Sequence, residues 1–71
     1  MSIGKKEERK RQYELEQRAS EIFSLQSSLD EAYSHFNRTT DPGALDACIF
    51  EINALRARYN SAVKHYRERY Y

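Results

Sequence analysis

Arg38-Thr39-Thr40-Asp41-Pro42-Gly43 is the stretch that interrupts an otherwise helical pattern, and it holds the only proline and one of the two glycines. The Asp41 carboxylate can accept a hydrogen bond from a free amide of a following helical turn, and Pro42 suits the first helical position because an N–H there has no partner. Residues before proline avoid the helical region, so a break at Asp41 is expected. Asn37 can end the first helix in the left-handed conformation. The stretch therefore predicts a first helix, a corner and a second helix, over about residues 7–37, 38–41 and 42–69.

Apolar residues on both sides of this corner recur at the spacing of an amphipathic helix. The members that recur every seven residues are Leu15, Ile22, Leu29 and Phe36 before the corner, and Leu45, Ile52, Tyr59 and Tyr66 after it. This spacing fits helices that each lie against one partner, and it excludes the two-residue period of a half-buried strand. Because the connection is short, the two helices must run antiparallel. The predicted fold is an all-α, antiparallel two-helix hairpin with coiled-coil spacing, in which Phe36 faces Leu45 and Leu15 faces Tyr66.

The first 12 residues are polar and basic. The cations Lys5, Lys6, Arg9, Lys10 and Arg11 outnumber Glu7 and Glu8. No apolar side chain in this segment fixes a buried face, and cations near a helix N-terminus oppose the helix dipole. Residues 1–12 are therefore expected to be a frayed helical start or disordered, with the hairpin proper in residues 13–71.

A hairpin of 71 residues has little core of its own, and chains this short usually depend on disulfides, a metal or a partner. Cys48 is the only cysteine, so no disulfide can form within the chain. Phe23 and Phe50 lie off the two stripes and have two interpretations. They are either scattered exposed aromatics, which are common, or a second apolar face that pairs two hairpins into a homodimeric four-helix bundle. The thinness of the core favours the homodimer.

The sequence offers no arrangement that predicts catalysis. His35 and His65 stand outside any cluster with metal-ligand spacing, no glycine-rich phosphate loop is present, and no serine has a spacing that argues for a triad. Cys48 falls on or beside the second stripe, where packing is favoured over redox chemistry. We expect a non-enzymatic protein with no catalytic residue, cofactor or metal. An enzyme would need a pocket between protomers that contains His35 or Cys48.

The first residues and the hydropathy of the chain bear on its location. No apolar run follows Lys5 and Lys6, so a signal peptide is not expected. No segment approaches the roughly 20 apolar residues that a membrane-spanning helix needs. The expected location is the cytoplasm, with no membrane partner.

Charge is distributed unevenly along the chain. Residues 1–12 carry five cations and two anions, residues 13–53 carry two cations and eight anions, and residues 54–71 carry five cations and one anion. A hairpin brings the first and last of these segments to the same end. The molecule is therefore expected to have a basic open end and an acidic body toward the corner.

The basic open end has three interpretations. Cations in the last turns of the second helix suit the helix dipole and form a solvated face. Basic residues interleaved with tyrosines are also the material of single-strand nucleic-acid sites, but the isoelectric point of about 7.9 is low for a dedicated nucleic-acid-binding domain. The third interpretation is a protein partner, including the opposite end of another copy. The candidate partner-binding residues at this end and off the stripes are Phe23, Phe50, Arg58, Lys64, Arg67, Arg69 and Tyr70.

The second half of the chain resembles a known family. The residues that carry the resemblance are Phe36-Asn37-Arg38-Thr39-Thr40-Asp41-Pro42, Leu45-Asp46-Ala47, Ile49-Phe50-Glu51-Ile52-Asn53-Ala54 and Arg58-Tyr59-Asn60. This pattern is similar to that of the YaaL-like family, small uncharacterised proteins of Gram-positive, mostly spore-forming bacteria. The resemblance covers about residues 33–63, and Gly43-Ala44 stands where the family pattern has larger residues. It implies no assigned activity, and genes of the family often lie near recombination and sporulation genes.

The residue pattern predicts a role in binding and not in catalysis. We expect a small, non-enzymatic protein-interaction module that self-associates through its helices. The alternative is a nucleic-acid-binding accessory protein that uses the basic open end. Glu51, Asn53 and Asn60 belong to the resembling segment but lie off the second stripe, so they either face solvent or make polar contacts to a partner or the first helix.

Overall fold

Two helices make up the described part of the chain. The computed structural model describes residues 2–70, and the side chains of residues 4–70. Helix α1 spans Ser2–Arg38 and helix α2 spans Pro42–Tyr70, with no strand among the described residues. The two helices pack against each other to form a rod of 62 × 17 × 14 Å. The predicted all-α two-helix hairpin is therefore confirmed.

The start of α2 is fixed by Asp41. Its Oδ2 atom accepts a hydrogen bond from the Ala44 amide at 3.0 Å, and its carbonyl oxygen accepts the first helical bond, from the Leu45 amide, at 2.9 Å. Asp41 is thus an N-cap with Pro42 in the first helical position, as the sequence indicates. A cap of this kind stabilises a helix by typically ~1 kcal/mol.

The end of α1 differs from its expected form. Helix α1 continues through Asn37 to Arg38, and no residue of the described chain has a positive φ, so the expectation of a left-handed Asn37 is wrong. The Thr39 hydroxyl instead donates to the His35 carbonyl at 2.8 Å, and the Thr39 amide donates to the Phe36 carbonyl at 3.3 Å. Because Thr39 satisfies one of the last free carbonyls with its side chain, a left-handed residue is not needed to turn the chain.

The basic N-terminal segment lies within α1, which begins at Ser2 and not near residue 7. Lysine, arginine, glutamate and glutamine are good helix formers, and Glu7 and Arg11 have the four-residue spacing of a favourable ion pair. These local preferences account for a helix where the sequence predicted fraying or disorder. The last cross-helix hydrogen bond joins Arg69 to Glu14, and Tyr13 lines a groove with Tyr70, so residues 2–12 extend past α2 by about 16 Å.

Two polar contacts show that the helices keep one register. Cys48 Sγ lies 3.6 Å from His35 Nδ1 near the corner, and Arg69 Nη2 donates to Glu14 Oε2 at 2.8 Å near the open end. A step of 21 residues back along α1, from His35 to Glu14, thus corresponds to 21 residues forward along α2, from Cys48 to Arg69. Three heptads pass without a slip, which is what two seven-residue stripes in contact require.

The core of the hairpin is a thin seam. The only buried residues of the described chain are Ala32, Cys48 and Ile52, which are 3–6 % exposed. The accessible surface is 6091 Å², whereas a globular protein of this mass would expose about 4,700 Å². About half of the surface of the extended chain therefore stays exposed, so the isolated hairpin has less burial than small domains usually achieve.

Candidate interaction surfaces

Two phenylalanines point away from the seam between the helices. Phe50 is 77 % exposed and Phe23 is 71 % exposed. The register places Phe50 at the level of Tyr33 and Phe23 at the level of Asn60, about 15 Å apart along the rod. The two side chains therefore do not form one cluster, and each has to be considered with its own neighbours.

Phe50 belongs to an uncharged face on the outer side of α2. Positions separated by alternating steps of four and three residues lie on one side of a helix, and here they run opposite to the buried Cys48 and Ile52. The outer face, as we name it, consists of Gly43, Ala47, Phe50, Ala54, Ala57 and Ser61. All six residues are exposed. The sequence analysis missed it because five of its six members are small, but the alternation of four and three is visible in the sequence.

Polar residues flank the outer face in two rows. One row is Asp46, Asn53, Asn60 and Arg67, and the other begins with the apolar Ala44 and continues with Glu51, Arg58 and His65. Four of these residues are charged at neutral pH, and within residues 4–70 none of the four makes an ion pair. The outer face thus has the composition of a helix contact surface: a small apolar centre with charges along both edges.

The open end of the hairpin is held by contacts within the chain. Arg69 forms an ion pair with Glu14, and its guanidinium carbon lies 5.9 Å from the ring centre of Tyr70. The hydrogen bond and charge of Glu14 raise the pKa of Arg69, which therefore stays protonated throughout the range in which proteins are studied. The rings of Tyr66 and Tyr70 pack at 5.2 Å. Two of the predicted site residues, Arg69 and Tyr70, are therefore engaged within the hairpin.

The other predicted cations are exposed and divided between two surfaces. Lys64 and Arg67 line one shallow groove on α2. Arg58 lines a different groove, between the helices, together with Glu21, His65 and two members of the outer face, Ala57 and Ser61. The structure thus does not gather the seven predicted residues into one site.

The segment of α1 that extends past α2 is strongly basic. It contains five cations and two anions within about three turns, and residues 4–12 are all exposed. Since α2 ends at Tyr70, no described residue of α2 lies beside it to neutralise this charge. It is separate from Lys64 and Arg67, which lie on α2.

The pair of Cys48 and His35 was not foreseen, because the sequence analysis weighed the two residues separately. The Cys48 thiol is 3 % exposed and lies 3.6 Å from His35 Nδ1, while the His35 ring is exposed. The groove on this side is open and is also lined by Glu51 and Leu55. Among the described residues no group of three or more His, Cys, Asp or Glu side chains could hold a metal ion. The contact closes the seam near the corner.

Neither helix, over the residues described, has a segment long and apolar enough to cross a membrane. Comparison of the chain with protein-family models, with curated proteins and with solved structures gives no match.

Proposed function

We propose that this protein is a non-enzymatic protein-interaction module of the cytoplasm that self-associates as a homodimer of helical hairpins, with four helices in the assembly. The observation that carries the proposal is the 77 % exposure of Phe50 at the centre of an uncharged helix face. An exposed aromatic within a continuous uncharged face marks a contact surface more strongly than one that stands alone.

The thin core supports self-association. Each chain exposes about 1,400 Å² more than a globular protein of its mass, and a stable protein interface buries about 1,200–2,000 Å² in total over both partners. A dimer could thus bury a standard interface and still expose an ordinary amount of surface. Small chains often obtain part of their stability in this way.

The shape of the hairpin supports a non-enzymatic role. The concavities along residues 4–70 are open grooves on or between two helices. Catalytic groups generally act in a concave, water-excluding site with preorganised donors. The one thiol near an imidazole, Cys48, is buried in the seam and not presented to a groove.

Sedimentation equilibrium across a range of concentrations tests this proposal. We expect the mass to rise from 8.5 kDa toward twice that value as the concentration increases into the micromolar range. A helical, well-folded monomer that persists at several hundred micromolar would contradict self-association. Circular dichroism on the same samples separates a folded monomer from an unfolded chain.

A second candidate function is nucleic-acid binding by the basic segment of α1 that extends past α2. Its cations are exposed and lie beyond the last cross-helix contact, so they could follow a phosphate backbone without competition from Glu14. The measurement is binding to single- and double-stranded DNA and RNA at two salt concentrations. Binding should fall steeply with salt and disappear when Arg9, Lys10 and Arg11 become glutamine. If nothing binds at low salt, this candidate is excluded.

Membership of the YaaL-like family is part of the proposal and rests on the residues of the second half alone. The corner at Asp41 and Pro42 is folded as an N-capped helix start, which agrees with the D-P turn of that pattern. The family has no assigned activity, so membership would leave the proposed interaction role to be tested directly.

A further inference from the structure

We propose that the occupant of the outer face is the same face of a second copy, so that two α2 helices dock antiparallel in one defined register. This inference rests on the proposed self-association and adds the helix, the face and the register. In this register Ala54 lies against the partner's Ala57, Phe50 lies against the partner's Ser61, and the two-fold axis passes near the middle of α2. Each contact then occurs twice, since a symmetric dimer uses one patch on both subunits.

Packing along the outer face suits a helix. The centre of the contact would consist of alanines, and small side chains let two helix axes approach closely. Phe50 is the one large side chain, and it meets Ser61, a small residue that leaves room for a ring. One layer further out, Ala47 meets the stem of the partner's Lys64, whose ammonium group can reach solvent past the edge. Each larger side chain of one helix therefore faces a small residue of the other helix.

Charges along the edges select this register. In an antiparallel pair of helices, each flanking row runs beside the same row of the partner. Glu51 then lies beside the partner's Arg58, and Asp46 beside the partner's Arg67. By symmetry this gives four ion pairs, and they use every residue of the two rows that is charged at neutral pH. The same four side chains have no ionic partner within residues 4–70 of the isolated hairpin.

Other arrangements of the same face bring like charges together. A shift of one heptad places Glu51 beside the partner's Glu51, and Asp46 beside an asparagine. A parallel, in-register pair places Asp46 beside the partner's Glu51. Like charges at such edge positions destabilise helix pairs, and they are the usual means by which orientation is specified. Only the register proposed here pairs all four charges with opposite ones.

The overall charge layout agrees with an antiparallel contact. Residues 54–70 of α2 carry five cations and one anion, whereas residues 42–53 carry two anions, Asp46 and Glu51, and no cation. Antiparallel docking puts the basic end of α2 beside the acidic, corner-proximal part of the partner, over nearly the whole length of Pro42–Tyr70. Parallel docking would place the two basic ends together. Helix α1 then lies on the outside of each hairpin, and Phe23 stays exposed.

Charge reversal, followed by sedimentation equilibrium at low salt, tests the register. Glu51→Arg alone and Arg58→Glu alone should each weaken the homodimer roughly tenfold, because two attractive contacts become repulsive. An equimolar mixture of the two variants should restore the affinity. In the heterodimer the introduced arginine faces the introduced glutamate, and the native Arg58 of one variant faces the native Glu51 of the other. The matched control is the mixture of Asp30→Arg with Arg56→Glu, which changes exposed charges that line no groove with Glu51 or Arg58 and should behave like the parent protein.

Truncation of the phenylalanines tests the face. Phe50→Ala should weaken the dimer roughly 100-fold, because a Phe50 side chain leaves the interface at two sites. Phe23→Ala, which removes a similarly exposed ring from α1, should leave the affinity within twofold. Alanine is the better helix former, so loss of helicity would not explain a weakened dimer, and circular dichroism checks this.

The outcomes of these experiments separate the proposed register from the proposed self-association. A monomeric parent protein would overturn both proposals. A dimeric parent whose two charge variants fail to complement each other would overturn the register and leave self-association in place. A dimer that depends on Phe23 and not on Phe50 would overturn the outer face, and would assign the contact to the surface around Phe23 on α1.

Discussion

The inner and outer faces of α2 share one spacing but differ in their surroundings. On the inner face Cys48 and Ile52 are 3 % and 6 % exposed, because α1 covers them. On the outer face, two residues from either of them, Phe50 is 77 % exposed. The inner face is built from large apolar residues and the outer face from small ones. Heptad spacing therefore indicates which faces of a helix can pack against another helix. The size of the side chains on each face determines how closely the second helix can approach.

The largest loss of folding stability is expected from a substitution on the inner face. Ile52→Ala removes a buried side chain from a seam that has few, so we expect unfolding to become easier by about 2–4 kcal/mol. Urea titration followed by circular dichroism, at a concentration below that of dimerisation, measures the change. The matched variant is Phe50→Ala, which should leave the unfolding of the isolated hairpin within about 0.5 kcal/mol. Equal losses from the two variants would contradict the assignment of inner and outer faces.

A smaller loss of folding stability is expected from a substitution at the start of α2, because both faces depend on this helix start. Asp41→Ala removes the acceptor of the Ala44 amide and should destabilise the hairpin by ~1 kcal/mol. Asp41→Asn, which keeps a side-chain oxygen, should retain most of the stability. Thermal unfolding of the three proteins in parallel gives the order. A stability of the alanine variant equal to that of the parent would mean that the corner does not fix the start of α2.

The smallest effect is expected at the open end, where the inner face is least covered. The ion pair of Arg69 with Glu14 is short, but the two side chains are 64 % and 34 % exposed. Because solvent and salt screen such pairs, Arg69→Gln should lower the thermal midpoint by less than Asp41→Ala does, and by less still in high salt. Arg56→Gln serves as the control, since Arg56 makes no ion pair within residues 4–70. An effect that grows with salt would argue against an electrostatic origin.

The hairpin itself was predictable from sequence because its signals are local. The Asp41-Pro42 pair combines a side-chain acceptor with a residue that lacks an amide hydrogen, and both act within one turn. The stripes through Ile22 and Ile52 follow directly from the helical period. These features predict the two helices and their antiparallel order without knowledge of side-chain packing.

The features that the sequence did not predict depend on side-chain packing or on competition between weak interactions. Asn37 could have ended α1, but the Thr39 hydroxyl occupies one of the last carbonyls and no left-handed residue is needed. The contact of His35 with Cys48 forms only if the register of α1 against α2 is correct to within two residues. The stripes alone do not define the register that closely. The outer face was overlooked because alanines carry little weight in a search for apolar stripes, although their spacing around Phe50 is regular.

If two outer faces of α2 meet antiparallel, the corners of the two hairpins lie near opposite ends of the dimer, and the distance between them can be measured. A Cys48→Ala, Thr40→Cys variant carries one spin label per chain at an exposed corner residue without a side-chain hydrogen bond among the described residues. The proposed register separates the two corners by about 31 helical steps, so electron–electron distance measurement should give about 45 Å. A distance below about 25 Å would indicate parallel docking, and the absence of coupling at concentrations where the parent protein is dimeric would contradict the account.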